Sequence, residues 1–402
     1  MDDNSKGTYI ILTNTLGGTT GGVRYVANKY RWLVSQGWKV FLFSSTGQHN
    51  APIVLDELMP FNNCGIKELY YYPNWINRKR RSRVINRVLS YIPEGKTVVI
   101  ESNTSQTSIW GELIAQKANA KHIVFLIGEN VKADNQQMAD FFYFKYQRNE
   151  LFTINEVAFM NLLSDYYTIT DAKNHYWNAN VDVSVKELSN DIIDHLPKAE
   201  YTISHFGRYK NYFPYMISEI AKFARSNKES KINFIFFGNV NKSLIDLNED
   251  NVSVYFIEEQ VYLPKSFFEV SDSIIATAGC ALIAYRQGNF VVSMDVVRNK
   301  PLGVLGITTE CRSFSDAECP EGLCSILNDI LVENKYANAS KKNVEKNFFG
   351  YEYQMGATKV ESQAYYDNVM SIEGKISSKD SFLKIMLSLG LISVASNLRY
   401  RR

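Results

Sequence analysis

The sequence carries almost no net charge: 44 Lys and Arg against 42 Asp and Glu leave +2. So small a balance gives no reason to expect nucleic acid as a partner. No apolar run reaches about 18 residues, the length that a membrane-spanning helix needs. The polar start "MDDNSKG" leads into the apolar run "YIILT", which is far too short for a secretory signal. These absences give the expectation of a cytoplasmic protein. Cysteine is scarce, at 5 in 402 residues. Cys311, Cys319 and Cys324 cluster, while Cys64 and Cys280 stand apart. The cluster has no Cys-x-x-Cys pair and no histidine nearby, so reduced structural thiols are expected and no metal site is.

What is present is an ordinary globular composition, and the length favours two domains over a single core. The chain alternates strand-like and helical stretches. "YIILT" (9–13) is followed by a glycine loop and then by Val23, Val26, Ala27, Tyr30, Leu33 and Val34, the spacing of one helical face. Gly37 is placed to stop that helix, and "WKVFLFSS" is the next strand. The unit is βαβ, which implies parallel strands. Further strands are expected at "IKELYYY" (66–72), "TVVIE" (97–101), "HIVFLI" (122–127) and "YYTIT" (166–170).

The pattern restarts after a polar linker near 178–200 that contains Pro197. "YTISHFG" (201–207) reads as a strand, and 213–227 as a helix with Phe213, Met216, Ile217, Ile220 and Phe223 on one face. "INFIFFG" (232–238), "VSVYFI" (252–257), "SIIATAG" (273–279) and "NFVVSM" (289–294) are expected strands. Each half is therefore an α/β domain, and ligands of such sheets bind past the carboxyl ends of the strands.

The loop "LGGTTGG" places Gly17, Gly18, Gly21 and Gly22 between a strand and a helix. Bare backbone at a helix N-terminus suits close approach of a ligand or an anion. A tight turn needing positive φ is the plainer alternative. A P-loop needs Lys-Ser/Thr after the last glycine, and Val23-Arg24 stand there. A dinucleotide site needs G-x-G-x-x-G and an acidic residue after the second strand; this loop reads G-G-T-T-G-G, and that strand ends in Ser44-Ser45.

Three turns of the second half have similar character. Arg208 and Lys210 follow a strand end, where a guanidinium and an ammonium suit a diphosphate or are simply solvated. Gly238 and Asn239 end the next strand, and small residues from Ala276 to Ala281 open a helix after a third. That last turn suits a phosphate, or close helix–sheet packing.

The segments "GGTTGGVRYVANKYRWLVSQGWKVFLFS", "FGRYKNY", "FFGN" and "AGCALIAYRQGNFVVSMD" together resemble the GT-B glycosyltransferase superfamily, in the style of family 4. The resemblance runs to about residue 370. It implies two Rossmann-like, doubly wound domains facing a cleft: an acceptor-binding domain over 1–190, a nucleotide-sugar-binding domain over 198–370, and a helical, basic tail over 371–402. It also implies that Gly17, Gly18, Gly21 and Gly22 line the acceptor side, that Arg208 and Lys210 hold the donor diphosphate, and that Gly238, Asn239, Ala278, Gly279 and Cys280 line the nucleotide. The chemistry would be displacement at the anomeric carbon with a nucleoside diphosphate leaving, which requires no metal cofactor. One departure is specific. Family 4 enzymes carry a Glu-x7-Glu pair near the donor helix, yet no Glu occurs between Glu269 and Glu310, and Ile283 stands where the second would be.

The sequence leaves retaining and inverting mechanisms both open; an inverting one needs a base on the acceptor hydroxyl, and a retaining one need not have one. Glu129, Glu101 and Asp134 follow strand ends of the first half, where capping a helix or facing solvent are the alternatives. His205, beside Gly207, is either a donor contact or a satisfied buried histidine. The run 70–89 joins aromatics and Pro73 to Arg78, Lys79, Arg80, Arg81, Arg83 and Arg87. That mixture suits an anionic membrane surface, or else a solvated helix face. The last segment, "FLKIMLSLGLISVASNLRYRR", is likewise apolar and then basic.

The reading is a glycosyltransferase that moves a sugar from a nucleotide-sugar donor to a saccharide or lipid-linked saccharide acceptor in surface polysaccharide assembly, peripheral on the inner face of the membrane. The alternatives are a nucleotide-sugar epimerase of the same build and a non-enzymatic two-domain binding protein.

Overall fold

A computed structural model describes residues 5–14, 21–45, 63–93, 95–128, 131–169, 172, 175–176, 185–239, 242–260, 262–313, 319–342, 344, 363–374, 377–393 and 395. The chain divides into two units, residues 1–180 with 346–402, and residues 181–345.

The first unit runs β1 (Thr8–Thr13), α1 (Gly21–Ser35), β2 (Lys39–Ser44), β3 (Asn63–Gly65), α2 (Arg78–Leu89), β4 (Val98–Ser102), α3 (Ser105–Ala118), β5 (Lys121–Leu126), α4 (Gln136–Gln147), β6 (Leu151–Thr153) and α5 (Glu156–Leu163). Its sheet has the order β3-β2-β1-β4-β5-β6. Every pairing is parallel. The central strands are buried on both faces, which is why they read as unbroken apolar runs. Local chemistry sets the helix ends: Thr104 and Thr107 form a capping box on α3, and Asn119 closes it with φ 51°.

The second unit runs β7 (Val185–Lys186), α6 (Asp191–Asp194), β8 (Tyr201–Phe206), α7 (Phe213–Ser226), β9 (Ile232–Phe237), β10 (Val252–Ile257), β11 (Leu263–Pro264), α8 (Lys265–Val270), β12 (Ser273–Ala276), α9 (Ala278–Arg286), β13 (Phe290–Met294), β14 (Pro301–Val304) and α10 (Leu323–Leu331). Its main sheet has the order β10-β9-β8-β12-β13-β14, with β7 and β11 paired separately. The edge strand β14 is antiparallel to β13. α11 (Gln363–Ser371) and α12 (Ser378–Ser388) return to the first unit. There the Tyr365 hydroxyl donates to Glu112 Oε1 (2.9 Å) and Asn74 Nδ2 donates to the Ser371 carbonyl (3.0 Å).

Three expectations differ from this. The run 66–72 is not a strand: two short 3-10 turns, Lys67–Tyr70 and Pro73–Trp75, occupy the region, and Tyr71, Tyr72 and Trp75 are all buried. A half-buried strand would alternate, whereas here neighbouring aromatics are buried together. Over 166–169 the chain is irregular, and the edge strand is the three-residue β6 upstream. The boundaries differ too. The second unit begins at Val181, and the C-terminal helices belong to the first. Periodicity marks those helices but not the sheet on which they pack.

Candidate functional site

In the second unit the chain leaves β8 for β9 and β10 on one side, then crosses to β12 on the other. The switch point lies between β8 and β12, where open α/β sheets take their ligands. Phe206 is in register with Phe237 and with Ala276, so the turns after β8, β9 and β12 emerge side by side. This one edge collects Gly207–Lys210, Gly238–Asn239 and Ala278–Cys280.

The approach between these turns is close. Gly207 (φ +136°) donates its N–H to the Phe237 carbonyl (2.9 Å). A Cβ on Gly207 would stand 3.5 Å from Cys280 Sγ and 3.9 Å from His205 Cε1. Tyr209 N–H donates to the Asn239 carbonyl (3.2 Å). Arg208 and Asn239 are exposed, and Lys210 is half-buried.

Ala278 opens α9 at φ 53°, a left-handed conformation that a non-glycine residue adopts only when its surroundings impose it. Its N–H donates to the Arg312 carbonyl (2.7 Å), as does the Thr277 hydroxyl (3.1 Å). No side chain among the described residues caps this N-terminus, which opens directly after β12 at the same edge as the other two turns.

His205 lies beneath. It is fully buried, and its Nε2 is 3.1 Å from the Tyr212 hydroxyl. Its Nδ1 has no hydrogen-bond partner among the described residues. Burial pushes its pKa down to about 3, so the imidazole is neutral. Burial, with Cys280 nearby, pushes the Tyr212 phenol up. Tyr212 was not singled out in the sequence, because a tyrosine before a helix carries no signal of its own. Ile283 is buried on α9 in the apolar core, so no carboxylate stands at the family 4 position.

The first-unit candidates scatter. Gly17, Gly18 and Glu129 lie outside the described residues. Gly21 opens α1, and a Cβ on Gly22 would stand 3.2 Å from Ile127 Cγ2. Glu101 is fully buried on β4. It accepts from Tyr9 (2.7 Å), Tyr25 (2.9 Å) and Asn103 (3.0 Å). The Tyr25 bond ties α1 to the sheet and the Tyr9 bond joins β1 to β4, and a carboxylate so occupied is poorly placed to take a proton from an acceptor. Asp134 is exposed and accepts from the Tyr72 hydroxyl (3.2 Å), which shares in pushing the Tyr72 phenol up, after burial.

A buried network not visible in the sequence joins β4, β5, α3 and α4. His122 Nε2 is 3.0 Å from Ser102 Oγ, and its Nδ1 is 2.6 Å from Glu112 Oε2. Lys145 donates to Glu112 (2.8 Å) and to Glu150, and Arg148 donates to Glu150 (2.9 Å). The Ser–His–Glu order is that of an acyl-transfer triad, but no substrate could reach it. All three are buried, and Gly111 is packed so tightly that a Cβ there would stand 2.2 Å from Ser102 Oγ. The network is structural.

The basic run forms α2. Arg78, Lys79, Arg83 and Arg87 are exposed. Arg80 lies 3.8 Å from Glu68, and Arg81 donates to the carbonyls of Pro73 (3.2 Å) and Ile76 (3.3 Å). The aromatics expected to share a membrane surface with them, Tyr71, Tyr72 and Trp75, are in the core instead.

No family model and no curated protein matches the sequence. Solved structures do. A glycosyltransferase from Rickettsia africae ESF-5 matches with a TM-score of 0.53 at 10% identity, covering 97% of this chain and 98% of that one. The chain has the GT-B fold. An apo lipopolysaccharide outer core galactosyltransferase, WaaB, has a TM-score of 0.48 at 9% identity over 90% and 97% of the two chains. The S. aureus MnaA–UDP structure has 0.46 at 13% over 92% and 100%. The GT-B assignment rests on the first of these and on the two strand orders. Among the described residues, no helix of this GT-B chain is long and apolar enough to cross a membrane, and no cluster of His, Cys, Asp and Glu is placed to hold a metal ion.

Proposed function

We propose that the chain is a glycosyltransferase that moves a sugar from a nucleotide-sugar to a saccharide or lipid-linked saccharide, in assembly of a surface polysaccharide. The observation that carries this is the convergence at the β8/β12 switch point. Three turns, a strained Ala278 and an uncapped helix N-terminus meet there beside Arg208 and Lys210. In this reading the diphosphate lies against the N-terminus of α9, with Arg208 and Lys210 supplying positive charge. The nucleotide rests on Gly238, Asn239, Gly279 and Cys280. His205, its Nε2 paired with Tyr212, lies beneath the Gly207 turn.

The acceptor hydroxyl oxygen forms the new bond to the anomeric carbon as the bond to the diphosphate breaks. The leaving oxygen takes the bonding pair, and the hydroxyl proton passes to a base. The fixed dipole and the two cations stabilise the charge that develops on the leaving diphosphate. Asp134 and Glu129 remain the proposed bases. A lipid-linked acceptor would be met at the cytoplasmic face of a membrane.

The test is a panel of nucleotide-sugars, each incubated with the purified protein and assayed for release of nucleoside diphosphate with and without saccharide acceptors. Acceptor-dependent release from one donor is expected. Conversion of the donor to its epimer without release would establish an epimerase instead.

A further inference from the structure

α12 is apolar on two faces but packs with only one. Leu383, Met386 and Leu387 are buried in the first unit's core. Phe382, Ile385 and Leu389 lie on an adjoining face at helical spacing, 58%, 58% and 70% exposed, and Leu391 just beyond is 46% exposed. Ser381, Lys384 and Ser388 keep the remaining side polar, but the apolar arc is wider than the face that packs, and its surplus is a stripe facing outward.

The stripe ends against a basic cluster. Gly390 follows Leu389, and a Cβ there would stand 3.3 Å from Asn77 Nδ2, the cap of α2, and 3.9 Å from Arg80 Nε. The first turn of α2 holds Arg78, Lys79, Arg80 and Arg81 with no acidic residue. Cations at the positive end of a helix dipole oppose helix formation. Among the described residues Arg78, Lys79 and Arg83 form no ion pair. The acidic groups nearby are already engaged: Glu373 with Lys384 (2.7 Å), and Asp380 in the capping box of α12.

We propose that Phe382, Ile385, Leu389 and Leu391, with Arg78, Lys79 and Arg83, form one surface that docks on an anionic lipid bilayer. The aliphatic stripe enters the boundary between headgroups and acyl chains, and the basic turn of α2 meets the phosphates. Charge decides the occupant. A second copy meeting this face about a two-fold axis would bring a second basic cluster beside the first. Nucleic acid would match the cations, but it has no use for an aliphatic stripe. The surface stands apart from the transferase reading, since binding to lipid requires no sugar transfer.

The test is flotation of the full chain with vesicles of phosphatidylcholine, alone or mixed with phosphatidylglycerol. Binding is expected only to the mixed vesicles, weakening as salt rises. Arg78→Gln/Lys79→Gln/Arg83→Gln is expected to weaken it on the order of a hundredfold. Ile385→Ser/Leu389→Ser is expected to weaken it at least tenfold. All of these residues are exposed, so the unfolding midpoints of both variants should match that of the parent protein. Failure of the parent protein to bind anionic vesicles overturns the proposal, as does binding undiminished in either variant. So does concentration-dependent self-association that the Ser variant abolishes.

Discussion

Gly238 sits so close to Gly207 that a Cβ on it would stand 2.1 Å from the Gly207 carbonyl oxygen. The contact joins the turns after β9 and β8 through main chain alone, and Gly238 holds φ +138° to make it. No flexible side chain is there to move aside, so Gly238→Ala must shift backbone. It should cost about 2–4 kcal/mol in chemical denaturation. Nucleotide-sugar binding should fall with it, because the displaced turns are those proposed to receive the nucleotide.

Arg208 is exposed and contributes little to folding, so its removal isolates ligand binding. Losing a charge-assisted bond to a diphosphate costs about 1.5–3 kcal/mol, which is about 10- to 100-fold in Kd. Arg208→Ala should show that loss in titration calorimetry with an unchanged unfolding midpoint. Arg225→Ala should leave binding as it was, because Arg225 pairs with Glu249 (2.9 Å) on the far end of α7.

Stability should fall as pH drops below about 6.5. His205 is held near a pKa of 3 by burial. His122 is lowered by burial and by Lys145, against the pull of Glu112. A histidine whose folded pKa is depressed takes up its proton on unfolding. Its contribution is therefore complete above the unfolded value and shrinks as pH falls toward the folded one. From pH 7.5 to 5.5, His205 should account for about 1.4 kcal/mol of lost stability. Urea unfolding of His205→Asn at those two pH values should show a dependence flatter by that amount.

The buried network gives a separate stability prediction. Lys145→Met leaves Glu112 without its cation in the core, while Glu150 keeps Arg148, and should cost about 3–5 kcal/mol. Tyr365→Phe removes one bond from α11 to Glu112 and should cost about 1 kcal/mol. Equal effects of the two would mean that the network does not act as a charged unit.

The architecture was legible where strands are buried on both faces. β8, β9 and β12 show as apolar runs with turn residues at their ends. The legible part of the site had the same origin, since Gly207, Gly238 and Ala278–Cys280 follow those strands directly. Short edges were not legible: three residues of β6 are too few to display a period, and β14 starts on Pro301. The Glu112–His122–Ser102 chain was hidden because its partners lie on different elements and meet only through packing. The exposed stripe of α12 was hidden for a related reason. Its sequence shows apolar residues on adjoining faces of the helix but not which face finds a partner.

The most direct test of the account is calorimetric titration of the protein with a panel of nucleoside diphosphates. The account predicts that one of them binds with one-to-one stoichiometry and that both Arg208→Ala and Gly238→Ala weaken it. Absence of binding across the panel, or binding that neither substitution alters, would contradict a donor site at the β8/β12 edge.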